Sequence, residues 1–316
     1  MQMMCKVDKN LLINKISVDI TYQCPLRCKH CFAESEKITY FNEKSVTPMD
    51  WEQAGQKLLE LERIFEVKEF SLAGGEPLYA QDKLSTLMGQ LANRKQAMCY
   101  ILSSGIRAIE DYTMLRNVDT FFVSLHYSER TKQNAFAVNP YSFDQAMETI
   151  WGLVSHNVKT SITMIAMNRS LSEIIPMYQV AFLLGCDALY INKVILSGRA
   201  QAELMLSKSE SEQIKAVAMA LSEKEEYRSG PKIKINGFVS KKNNLHFQLE
   251  IMPDLSIGLR INGIDSMIHI IANLKEDIPA ILKKINYNVK NIQPKIRDNQ
   301  ILGGNDGFQF ESTYYQ

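Results

Sequence analysis

The run Ile16-Ser-Val-Asp-Ile-Thr-Tyr-Gln-Cys24-Pro-Leu-Arg-Cys28-Lys-His-Cys31-Phe32 decides how the rest of the chain is read. Ile16, Val18 and Ile20 alternate with polar residues, the period-two pattern of a strand with one buried face. The chain then enters a loop at Pro25, so three thiols leave the carboxyl end of that strand. Thiols spaced this closely in a reducing compartment point to metal rather than to disulfides. A cubane iron–sulfur cluster accepts thiolates at closely grouped corners, and three protein ligands leave one iron open, as a catalytic metal site needs. A structural zinc site normally takes four ligands, the second pair coming from another knuckle. His30 could serve as a fourth zinc ligand, but it sits between two others and would strain the loop. The cluster is the preferred reading and zinc the alternative.

Composition supports the compartment. The chain has 316 residues, 46% hydrophobic and 22% charged, the profile of an ordinary globular protein. Its 36 basic and 35 acidic residues give a formal net charge of +1, with no basic excess for nucleic acid. No apolar run approaches the roughly 18 residues of a membrane helix. The amino terminus, MQMMCKVDKNLLINK, lacks an apolar signal core, so a cytoplasmic protein is expected. Cys99 and Cys186 lie just at or before the amino-terminal ends of expected strands and read as packing residues. Cys5 has no assignable place.

Strands alternate with helices along the next two hundred residues. Thr47-Pro48-Met49-Asp50 opens a helix that Ala54, Leu58, Leu61 and Ile64 continue. A strand at 69–73 runs into Gly74-Gly75-Glu76-Pro77, and a helix over about 80–94 follows. Further strands are expected at 98–102, 120–125, 160–168 and 188–195, with helices over 142–155 and ending near Gly185. Ser207-Lys-Ser-Glu210 is a capping box opening a helix to about Glu223. Such alternation implies a parallel sheet with right-handed crossovers, its strands' carboxyl ends on one rim. Eight units would close a barrel, whereas six predict an open one. The fold class is α/β, a partial (β/α)6 TIM-like barrel over 1–224 with a small α+β extension over 225–316. In that extension, runs at 232–235, 246–251 and 256–261 predict a small antiparallel sheet, and a helix is expected from Asp277 to Ile285.

Cys24-x-x-x-Cys28-x-x-Cys31 after an amino-terminal strand resembles the signature of the radical S-adenosylmethionine superfamily. The resemblance implies one [4Fe–4S] cluster on Cys24, Cys28 and Cys31, with S-adenosylmethionine chelated at the open iron. An electron from the cluster then splits the sulfonium, and a 5′-deoxyadenosyl radical abstracts hydrogen from substrate. It also implies cofactor-binding roles. His30 takes the place of an aromatic packing near adenine, and Phe32 follows it. Gly74, Gly75, Glu76 and Pro77 resemble a motif whose backbone holds the cofactor's amino group. Ser104 stands where relatives carry a threonine–asparagine–glycine loop, so a plain turn is the competing reading. Ser124 and His126 match a serine and a carboxylate near ribose and methionine carboxylate; a satisfied rim histidine is the alternative for His126. Asn168 matches an amide near the ribose, with a helix N-cap as the alternative. Arg199, in Gly198-Arg199-Ala200, would pair with the methionine carboxylate, an exposed loop arginine being the alternative.

The segments 249–257 and 271–277 resemble the SPASM or Twitch extensions of peptide-modifying relatives. Those carry further clusters, but no cysteine follows Cys186 here, so none is expected. The resemblance implies a ribosomally made peptide substrate (epimerised, crosslinked or rearranged) and a flavodoxin or ferredoxin-type electron donor. With little sequence before residue 14, the peptide is expected to use a separate leader-binding protein or the open groove. Two other readings stay open: a radical enzyme acting on a nucleotide or small metabolite, and a non-catalytic cluster-binding partner protein.

Overall fold

The computed structural model describes residues 13–31, 46–168, 170–196, 198–224, 229–236, 247–261, 269–297 and 313–314. Six parallel strands form its centre: β1 (Ile13–Thr21), β2 (Glu69–Gly74), β3 (Met98–Ser103), β4 (Thr120–Ser124), β5 (Thr160–Ala166) and β6 (Ala188–Lys193). Between them run α1 (Pro48–Phe65), α2 (Gln81–Leu91), α3 (Arg130–Ala137), α4 (Ser142–Ser155) and α5 (Ile174–Leu183), followed by α6 (Lys208–Glu223). The sheet is open, a partial barrel of the expected class.

Local chemistry sets the helix ends. Thr47 caps α1 in a reciprocal box with Asp50, and Ser207 does the same for α6 with Glu210. α1 ends where Glu66 turns left-handed, at φ 54°. On the sheet, Ile16, Val18, Phe70, Leu72, Cys99, Ile101, Phe121, Val123, Ile162, Met164, Leu189 and Ile191 pack with the helices into one apolar core. Their alternate neighbours form the other face, which carries Ser17, Tyr100, Phe122, Thr163, Tyr190 and Asn192. Cys99 and Cys186 are buried, as packing residues should be.

The carboxyl-terminal third departs from expectation. β7 (Lys232–Asn236) is parallel to β6 and prolongs the same sheet. β8 (Phe247–Ile251) returns to the opposite edge and pairs parallel with β1. β8, β9 (Ser256–Ile261) and β10 (His269–Asn273) form an antiparallel ribbon on that edge. The separate antiparallel sheet is therefore corrected: among the described residues one eleven-stranded sheet runs from β10 to β11 (Thr313–Tyr314), which lies antiparallel against β7. The physical reason is that edge strands β1 and β6 carry unpaired backbone groups that the returning strands satisfy. α7 (Ile278–Arg297) is longer than the expected helix, with Asp277 Oδ1 accepting from the Ala280 N–H at 2.7 Å. The division at residue 225 falls between α6 and β7. No helix among the described residues is long and apolar enough to cross a membrane.

Candidate active site at the carboxyl rim

Strands β1 and β2 are joined at the rim by the two glycines. Gly74 has φ +130°, and a Cβ there would strike the Thr21 carbonyl oxygen. A Cβ on Gly75 would lie 2.5 Å from the Tyr22 carbonyl oxygen and 2.6 Å from that of Gln23. Only glycine allows this approach. The Gly75 N–H donates to Thr21 at 2.7 Å, and the Glu76 N–H to Gln23 at 2.9 Å. This stitching fixes the point from which Cys24 leaves.

Glu76 is fully buried and holds its own turn. Its carboxylate accepts from Ser103 Oγ at 2.6 Å, the Ser104 N–H at 2.8 Å, Ser104 Oγ at 2.5 Å and the Leu78 N–H at 3.1 Å. Burial pushes its pKa up, and those bonds pull against it. Ser104 is thus tied to Glu76 from the next strand, and Pro77 opens a short 3-10 turn, Pro77–Ala80. Ser103, which no sequence motif marks, is the hydroxyl between Glu76 and the Gly105 N–H.

The cysteine loop is held from outside. The Arg27 N–H donates to Ala137 at 2.9 Å and the Lys29 N–H to Phe136 at 3.3 Å, both carbonyls from the last turn of α3. Leu26 is buried with Ile106 and Ala137, against Cys24 and Cys28. Across the loop, the Arg199 N–H donates to the Cys31 carbonyl at 2.9 Å and Arg199 Nε to the Cys28 carbonyl at 3.0 Å. Burial pushes the Cys24 thiol up to about 11 and the Cys28 thiol up to about 12; Arg27 and Arg199 respectively oppose this. Loading iron must therefore displace protons.

His30 lies between the second and third cysteines. Its ring stacks on Phe136, centroids 5.1 Å apart, and meets His126 edge-on at 4.5 Å. Burial, and then Arg199, lowers its pKa to about 4, so the ring is neutral. Its buried Nδ1 has no hydrogen-bond partner among the described residues. His126 is buried and accepts the Ile165 N–H on Nδ1 at 3.2 Å; burial, with His30 beside it, holds its pKa well below 6.5. Ser124 is half-buried at the end of β4, in register with Thr163. Asn168 is exposed, and Nδ2 donates to the Glu203 carbonyl at 3.3 Å. Phe32 lies outside the described residues.

The site fits the group that its cysteines call for. Three free thiols share one short loop, and a buried ring nitrogen lacking a partner marks a place that a ligand completes. Among the described residues, no three His, Cys, Asp or Glu side chains are gathered as the ligands of a metal ion would be. A cubane asks for less, because each thiolate takes a different iron.

Below the rim, the face turned from the helices is built from rings and amides. Tyr100 and Phe122 meet edge-on at 5.6 Å, as do Phe122 and Tyr190 at 4.8 Å. Lys234 Nζ lies 2.6 Å from Tyr190 Oη. Asn192 Nδ2 donates to Thr163 Oγ1 at 2.6 Å, and Asn236 Nδ2 to Asn192 Oδ1 at 2.7 Å. This ladder ends on Asn236 Oδ1, buried and without a partner among the described residues.

The model of the Radical SAM superfamily matches residues 18–181, from the first strand into α5. The chain belongs to the radical SAM superfamily. Among solved structures it is similar to SuiB of Streptococcus suis bound to precursor peptide SuiA, at 14% identity and a TM-score of 0.62, over 78% of this chain and 59% of that one. It also resembles SuiB solved alone, at 14% identity and TM-score 0.65, over 86% and 65%. A third is anSMEcpe with bound AdoMet and a Cp18Cys peptide, at 12% identity and TM-score 0.63, over 84% and 79%. The chain thus spans less than two thirds of SuiB's length.

Proposed function

We propose that this protein is a radical S-adenosylmethionine enzyme acting on a peptide. The observation that carries it is the rim itself: three free cysteines on one loop, pinned by its backbone bonds and by Leu26 and His30, beside the glycine-stitched turn of Glu76. Cys24, Cys28 and Cys31 would hold one [4Fe–4S] cluster, and the Gly74–Pro77 turn, Ser124, His126 and Asn168 would line the S-adenosylmethionine site. When bound, that pair supplies reductive sulfonium cleavage and a 5′-deoxyadenosyl radical that takes hydrogen from substrate. A flavodoxin or ferredoxin-type donor in the cytoplasm would supply the electron.

The chain's own residues prepare the site. Glu76 holds β2 and β3 together before anything binds. α3 and Arg199 hold the loop by its carbonyls and amides, leaving the thiols for ligation. Neutral His30 and His126, with Phe136, wall the site with desolvated rings. The peptide reading rests on the inner face, where the amide ladder offers Asn236 Oδ1 to a backbone N–H and the rings of Phe122 and Tyr190 offer an apolar seat. That SuiB binds a precursor peptide and anSMEcpe a Cp18Cys peptide supports the same reading.

The test is anaerobic reconstitution with iron and sulfide, then dithionite and S-adenosylmethionine. Release of 5′-deoxyadenosine supports the enzyme; its absence from protein with an intact cluster favours a non-catalytic partner. Stimulation by peptides encoded beside the gene, and not by nucleotides, supports the substrate class.

A further inference from the structure

Arg199 approaches the cysteine loop from β6's side of the rim, 171 residues from Cys28 in sequence. Its backbone N–H takes the Cys31 carbonyl and its Nε the Cys28 carbonyl, so one residue spans two of the three cysteines. It is half-buried, whereas Arg27, which donates to the Cys24 and Leu26 carbonyls at 2.8 Å, is exposed and belongs to the loop itself. A guanidinium is charged at every working pH and its geometry is fixed. The loop's own His30 stacks on Phe136 there, both rings desolvated, so its field is screened less than at an open surface.

We infer that Arg199 is a positioning residue for the cluster, clamping the Cys28–Cys31 segment and setting the cluster's reduction potential through its charge. The inference rests on the radical-enzyme reading, since it presumes that the three cysteines hold a cluster. It differs from the role the resemblance assigns, in which the same guanidinium pairs with the methionine carboxylate. One-electron reduction adds negative charge to a cluster already ligated by three thiolates, and a cation beside Cys28 favours that step. Removing the cation disfavours it. Net charge and tether are separable: Arg199→Gln loses the charge, while Arg199→Lys keeps the charge but not the fixed fork. Neither touches the backbone bond to Cys31.

The experiment is a redox titration, monitored by electron paramagnetic resonance, of reconstituted parent, Arg199→Lys and Arg199→Gln without S-adenosylmethionine. Iron loss to a chelator and S-adenosylmethionine affinity are measured in parallel. The clamp predicts a tenfold or larger fall in the reduction equilibrium for Arg199→Gln, about 59 mV more negative, with Arg199→Lys near the parent. Both variants release iron several-fold faster. An unchanged potential in Arg199→Gln, with affinity for S-adenosylmethionine reduced, overturns the inference and returns the guanidinium to the carboxylate. If Arg199→Gln is unfolded by circular dichroism, Arg199→Lys decides: faster iron release supports the clamp, and a parental rate overturns it. A parent protein that takes up no [4Fe–4S] cluster defeats the radical-enzyme reading instead, a result visible before any variant is made.

Discussion

Two loops meet at the rim and are built in opposite ways. The turn after β2 locks itself: Glu76 sinks its carboxylate among Ser103, Ser104 and Leu78, and its glycines close on β1. The loop after β1 is held by neighbours, through the Phe136 and Ala137 carbonyls on one side and Arg199 on the other. In the first, the side chain is consumed by structure. In the second, backbone atoms and the buried Leu26 bear the structure, and the three thiols are left for chemistry. A carboxylate that accepts several bonds cannot also serve a ligand, whereas a thiol on a pinned backbone can.

Cys28→Ala breaks this contrast most sharply. Iron absorbance and 5′-deoxyadenosine release should fall to background while circular dichroism stays parental, because the apolar core lies on the helix side of the sheet. A variant that still loads iron normally contradicts the assignment. Glu76→Gln tests the other loop. An amide has one acceptor oxygen where the carboxylate has two, so buried donors are left unpaired at a cost of about 3 kcal/mol. Thermal unfolding should show the drop; a parental midpoint would mean that the turn does not depend on Glu76.

Against His30 of the cysteine loop stands His126, neutral when folded because burial, and then His30, depresses its pKa. The unfolded chain protonates at about 6.5, so below that pH it binds a proton that the folded state refuses. Stability should therefore fall as pH drops, by up to about 1.4 kcal/mol per pH unit from this group. His126→Gln should flatten that slope, and denaturant midpoints at pH 7 and pH 5.5 will show whether it does. The smallest effect is expected far from both loops. Ser207→Ala removes the α6 cap and should cost about 1 kcal/mol, with cofactor cleavage unchanged.

What the sequence made legible follows from the range of each interaction. The six central strands could be read because Ile16, Val18 and Ile20, and their counterparts, repeat at period two. The caps at Thr47 and Ser207 are written within four residues. α3 was missed: its eight residues carry no side-chain cap bond and are mostly polar, yet its carbonyls hold the cysteine loop. Lys232-Ile-Lys-Ile235 reads equally well as a parallel or an antiparallel strand, and only its pairing with β6 decides. At the site, the cysteines and Gly74-Gly75-Glu76-Pro77 form local motifs. The partners of Glu76 on β3, and the reach of Arg199 to Cys28, are tertiary and leave no spacing to recognise.

X-ray absorption on purified, oxygen-protected protein addresses the central claim most directly, because it reads the metal and its neighbours without requiring a substrate. The account predicts iron with sulfur and iron neighbours, and a changed spectrum when S-adenosylmethionine is added. Zinc in a tetrahedral shell on Cys24, Cys28 and Cys31 would contradict it.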